Sequence, residues 1–288
     1  MNRAVMIGVL ALVGMTGLLA QPKGPAPKSK GEAEAVMELQ KAIQANDPDA
    51  LIKAADGLIT KYADTEFKGI ALQLATMAYQ QKRDYPKMVI YAERTLEADP
   101  KNYSVMLILA QGLAQNTREN DLDKDEKLNN AEKYANTAMN LLKTAEKPNP
   151  SLTDEQWEAG KKDIIAQAHE ALGLIAMVRK KYDVAVSEFK TAVDTASQPD
   201  AATMVRLGAA YNGAKMHDAA IAILDKVMAM PDAHPQIKQF AQAERVRAFQ
   251  AKGGVPKPAA PAVTPASAPA PGAPAAPAPA PAPAPAKP

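Results

Sequence analysis

Two stretches of this chain carry the same spacing of small residues, and that spacing restricts the fold more than any other feature. Leu172 and Gly173 are followed by Ala185, Phe189 and Ala192. Thirty-five residues further on, Leu207 and Gly208 are followed by Ala220, Leu224 and Val227, and in both stretches the step from glycine to alanine is 12 residues. Where two helices of a hairpin cross, only Gly or Ala lets them approach closely, and large residues fill the groove beside the crossing. A unit of this length buries its apolar face only by stacking on its neighbours.

Fainter copies extend the pattern. One has Ala75, Thr76, Tyr79, Met88, Ala92, Thr95, Leu96 and Pro100, and another has Leu109, Ala110, Leu113, Ala131, Ala135 and Ala138. A first copy has Ala42, Ala45, Ala54 and Leu58. Ala42, Thr76 and Ala110 are spaced by 34 and 34 residues. From Ala110 to Ala131 is 21 residues instead of 12, so nine are inserted within that copy. A further 20 or so fall at residues 144–163, around KPNPSLTDEQWEAG, where they divide the array into a part at 31–143 and a part at 164–252.

The pattern between the markers is helical throughout. From Glu32 to Gln250 apolar residues recur at three and four, as in AVMELQKAI, IALQLATMAY and AAIAILDKVM, and no run alternates as a strand would. Breaks fall at NDPD, RDYP, ADPKN, KPNPS, SQPD and MPDAHP, where Asp or Asn can cap a helix and Pro can occupy its first turn. The expectation is an all-α chain of short antiparallel hairpins, closed by a polar capping helix over residues 237–250.

The spacing L-G-x-x-Y…A-x-x-x-F-x-x-A…P resembles the tetratricopeptide repeat. The resemblance implies a right-handed α-α superhelix, a solenoid of about five helix pairs plus the capping helix. In such proteins the second, fifth, ninth and twelfth positions of each first helix line a concave, partner-binding face. Here those positions hold Ile70, Gln73, Met77 and Gln80, then Ser104, Leu107, Gln111 and Ala114. The later copies supply Gln167, Glu170, Leu174 and Met177, then Ala202, Val205, Ala209 and Asn212. The chaperone-binding subfamily grips a peptide C-terminus with Lys at the fifth and Asn at the ninth position. This chain has Gln73 and Met77, Leu107 and Gln111, Glu170 and Leu174, Val205 and Ala209 there, so that clamp is absent. A neutral, glutamine-rich face suits an amphipathic helix or extended peptide held by apolar contacts and amide hydrogen bonds. The alternative is that these residues face solvent or a neighbouring helix.

The two ends differ in kind from the middle. Residues 1–30 and 253–288 hold 16 of the 24 prolines and none of the 32 acidic residues. Arg3 precedes an uncharged apolar run at residues 4–20, followed by a polar, proline-broken linker at 21–30. This is the pattern of a secretory signal at 1–20, cut after Ala20, which places the folded part in the periplasm or cell envelope. The competing reading keeps the run as an inner-membrane anchor of an assembly or structural subunit, since 17 residues is the short limit of a spanning helix. Only then would the membrane be a partner. The 253–288 tail alternates Pro and Ala and is expected to be a disordered, extended spacer.

Charge and residue usage narrow the function. The six basic residues outside 31–252 leave that segment at −4, the opposite of the basic folded domain expected of a nucleic-acid binder. Without cysteine there is no disulfide, thiolate metal site or cysteine nucleophile. His169, His217 and His234 have no second ligand at helical spacing, and Ser151 and Thr153 before Asp154 and Glu155 read as a helix cap. Asp121, Asp123, Asp125, Asn129 and Glu132 sit at calcium-loop positions, but Glu126 stands where that loop needs Gly. Ala131 and Ala135 are in repeat register, so the second half of this segment is helical and the acids read as a first turn complementing the helix dipole. No set of nucleophile, base and oxyanion donors converges. The sequence therefore reads as a non-enzymatic protein-interaction scaffold without cofactor or metal, binding a peptide or partner protein and no nucleic acid.

Overall fold

The computed structural model describes residues 25–198 and 200–253. The expected signal at 1–20 and the Pro/Ala run of the tail lie outside the described residues. Within them the chain forms eleven helices and no strand. In order they are α1 Lys30–Ala45, α2 Pro48–Lys61, α3 Lys68–Gln81, α4 Tyr85–Ala98, α5 Tyr103–Asn116, α6 Lys124–Leu142, α7 Asp154–Val178, α8 Tyr182–Thr195, α9 Ala201–Gly213, α10 His217–Ala229 and α11 Pro235–Ala251. Among the described residues no helix is long and apolar enough to cross a membrane.

The break motifs start the helices as their chemistry dictates. The side chains of Asp47, Asp84, Asn102 and Asp200 accept hydrogen bonds from first-turn amides of α2, α4, α5 and α9. Prolines open α2, α4 and α11, where a missing N–H costs nothing. Thr153 and Gln156 close a reciprocal capping box at the start of α7.

Each helix packs on the next, and α5 also packs on α3 and α7, as α9 does on α11. The core is accordingly a row of local clusters. Val36, Leu58 and Leu74 join α1, α2 and α3. Tyr79, Ala92 and Leu109 join α3, α4 and α5, while Leu142 and Trp157 join α6 to α7. Phe189 and Leu207 join α8 to α9, and Leu224 and Ala241 join α10 to α11. This is the packing of an α-solenoid: five hairpins and a final helix, each burying its apolar face on its neighbours.

The small markers sit at the crossings. A methyl group added at Gly173 would stand 2.7 Å from the Phe189 ring, and one at Gly208 would stand 2.7 Å from Leu224. In the first hairpin the fully buried alanine of α2 is Ala55, with Ala54 half-buried beside it. Ala55 closes there in one buried cluster with Ala71, Leu74 and Ala75 of α3.

The segment 144–163 does not separate two folding units. The described residues form one compact unit, and 154–163 belong to α7, whose 25 residues extend the helix at its N-terminal end. Trp157 and Ile164 on this extension bury themselves against Met106 and Leu107 of α5 and Ala138 of α6.

Candidate functional site

The sixteen helix positions singled out by the repeat register separate into three environments. At the fifth position the side chains bind the next repeat. The Gln73 Oε1 accepts a hydrogen bond of 2.9 Å from Nδ2 of Asn102, the residue that caps α5. Glu170 on α7 is ion-paired with Arg206 on α9, and its side chain is only 13% exposed. Burial pushes the Glu170 carboxyl above its ordinary range; Arg206 offsets part of this, and the nearby charge of Asp200 adds to the rise. Val205 is half-buried against the cluster around Met204 and Leu224.

Three positions expected on a binding face are closed. Leu107 is 3% exposed because the N-terminal extension of α7 covers it with Trp157 and Ile164. Asn212 is 7% exposed because α11 lies over it, and its Nδ2 donates to the backbone oxygen and to Oε2 of Glu244, each at 2.9 Å. Neither can meet a partner. Ala114 is buried as well.

The remaining positions stay accessible to differing degrees. Gln80 is exposed, while Met77, Gln111, Gln167, Leu174 and Met177 are half-buried. Ile70, Ser104, Ala202 and Ala209 are half-buried too. Met77 packs on the cluster of Tyr79 and Met88, and Leu174 and Met177 pack on that of Ala185 and Phe189. What is left open is uncharged: thioether, aliphatic and carboxamide groups on α3, α5 and α7.

The acidic insertion is a helix start and not an ion loop. α6 begins at Lys124, and Lys127 reaches back to Asp123 at 2.9 Å and Asp121 at 3.7 Å. Glu132 is taken by Arg179 at 2.6 Å. Among the described residues no group of three or more His, Asp or Glu side chains is placed to hold a metal ion. Two of the three histidines have structural duties: His169 Nδ1 lies 2.7 Å from Glu188 Oε2 across the α7–α8 hairpin, and His234 caps α11.

The side chains that sequence reasoning missed are the cross-repeat partners Asn102 and Arg206 and the turn residues Arg83, Lys180 and Lys215. These last three have φ of 58°, 57° and 61°. Each lies seven residues after its marker (Thr76, Gly173, Gly208), so a register signal existed for them. Nothing in spacing identifies Asn102 or Arg206 as a partner, because the pairing is made by packing. No protein-family model and no curated protein matches this chain.

Proposed function

We propose that the chain is an exported, tetratricopeptide-like right-handed solenoid that serves as a non-enzymatic interaction scaffold of a bacterial cell envelope. A peptide or partner protein is held on the concave face, and the Pro/Ala tail acts as a spacer. One observation carries the reading: successive first helices keep Met77, Gln111, Gln167, Leu174 and Met177 partly open, all of them uncharged. Such a set offers apolar contact together with carboxamide donors and acceptors, which fits an amphipathic helix or extended peptide. Gln73, Glu170, Leu107 and Asn212 are not part of the grip, since they hold neighbouring repeats together or lie beneath them.

The test uses the full chain carrying Met77→Glu, Gln111→Glu and Met177→Glu as bait in envelope extract. Loss of the partners captured by the native bait, with unchanged helix content, is expected; an unchanged set of partners removes the concave-face reading. Export is tested separately by the N-terminus of the purified chain, expected at Gln21. A chain retaining residues 1–20 in the membrane fraction would instead be the anchored subunit.

A further inference from the structure

At three of the junctions between neighbouring repeats the turn regions are tied together by charge. Lys82 at the end of α3 pairs with Asp49 in the first turn of α2, and Lys180 in the α7–α8 turn pairs with Glu119 in the α5–α6 loop. Lys252 at the end of α11 pairs with Asp218 in the first turn of α10. The junction between the α7–α8 turn and the α9–α10 turn has no such tie among the described residues. Lys181 stands on one side of it and Lys215 on the other, both exposed, and neither ammonium group has a hydrogen-bond or ion-pair partner among the described residues. Lysines thus stand on both sides of this junction, where those three place a carboxylate opposite a lysine; the junction of the α3–α4 turn with the α5–α6 loop has no such tie among the described residues either.

Between these lysines lies a cleft of about 480 Å³. Tyr182 and Val184 supply its apolar lining: Tyr182 lies flush against α9, with its ring in the space a methyl group at Gly213 would need, and Val184 is 48% exposed. Asp183 is the one carboxylate on the lining, against Lys180, Lys181 and Lys215.

We propose that this cleft binds an acidic peptide segment, its carboxylates paired with Lys181 and Lys215 and an apolar side chain laid on Tyr182 and Val184. The charge of the rim selects an anion. The apolar side chains of Tyr182 and Val184 on the same lining select a peptide over a small inorganic anion, which would leave them bare. The site lies on the turn edge and shares no residue with the helix-face set proposed above, so each stands or falls alone.

The experiment titrates the isotope-labelled full chain with a short capped glutamate peptide bearing one central phenylalanine, following backbone amide shifts. Shifts are expected at Tyr182, Asp183, Gly213 and Lys215. The Lys181→Glu, Lys215→Glu double variant should bind roughly tenfold more weakly or worse, with unchanged helix content, and the Lys181→Arg, Lys215→Arg variant should retain binding. Equal affinity in the charge-reversed variant overturns the proposal, as does a shift pattern centred on Met77, Gln111 and Met177. Inorganic phosphate shifting the same amides, together with no loss when the peptide's phenylalanine is exchanged for alanine, overturns the assignment to a peptide.

Discussion

Gly173 has no room for a methyl group, because the Phe189 ring occupies the space where one would point. The five crossings of the chain divide their volume differently. Gly173 meets Phe189 and Gly208 meets Leu224, whereas Thr76 meets Thr95 and Ala110 clusters with Ala135. The two glycines thus make room for large partners, and the larger markers meet smaller ones. Gly173→Ala should therefore cost about 1–3 kcal/mol by overpacking, despite gaining about 1 kcal/mol of helix propensity. Phe189→Ala alone should cost about 3–5 kcal/mol. In the Phe189→Ala background the Gly173→Ala change should be neutral or stabilising, and a double-mutant cycle from urea denaturation measures that coupling. A coupling near zero would mean that the two residues do not share the space. Arg83 is the opposite case, a residue whose backbone wants glycine. With φ of 58° and no hydrogen bond from its side chain among the described residues, Arg83→Gly should stabilise the fold by about 1 kcal/mol, read as a raised unfolding midpoint.

At the scale of helices, the sequence is legible wherever a residue's role depends on its own helix and illegible where it depends on the next one. Caps at Asp47, Asp84, Asn102, Thr153 and Asp200 follow from local chemistry, and so does the number of hairpins. Residues 144–163 look like a spacer because repeat arithmetic counts whatever exceeds the unit as an interruption. The chain instead spends ten of these residues on the first turns of α7, and Trp157 makes them part of the core. Leu107 was misplaced for the same reason: register puts it on a helix face, but only the length of α7 decides that the face is covered. Gln73 and Glu170 show the same limit, since their partners Asn102 and Arg206 lie 29 and 36 residues away. The Glu170 seam makes a prediction about acid. Its raised pKa means that the folded chain holds this proton more tightly than the unfolded chain. That contribution is complete below the unfolded value of 4.5 and is lost as pH rises through the folded value. Glu170→Gln should therefore gain stability relative to the native chain as pH rises from about 4 to about 8. Because exposed carboxylates elsewhere are common to both proteins, the difference between their melting curves isolates this group. A difference that stays flat across the range would show that Arg206 fully compensates the burial.

The whole molecule stores its stability in a row of clusters, none of which spans the chain. Exposed ion pairs such as Lys28 with Asp64 and Lys252 with Asp218 join neighbours but contribute little each, so the seams rest on apolar burial. If the free energy is a sum of hairpin stabilities and nearest-neighbour contacts, damage at one end should fade along the array. Ala241 is the place to inflict it, fully buried between α11 and the Leu224 cluster of α10. Ala241→Asp places an unpaired carboxylate there at a cost of several kcal/mol. Native-state hydrogen exchange should show amides of α9, α10 and α11 losing protection roughly a hundredfold, while those of α1 to α4 keep theirs. The α7 helix is the informative boundary, because it packs on α5, α6 and α8 at once. Its long N-terminal half should stay protected with α5 and α6, and its C-terminal half should follow α8. An equal loss of protection in all eleven helices would mean that the row of clusters melts as one cooperative core, and that the repeat period describes how the chain is built without describing how it is held.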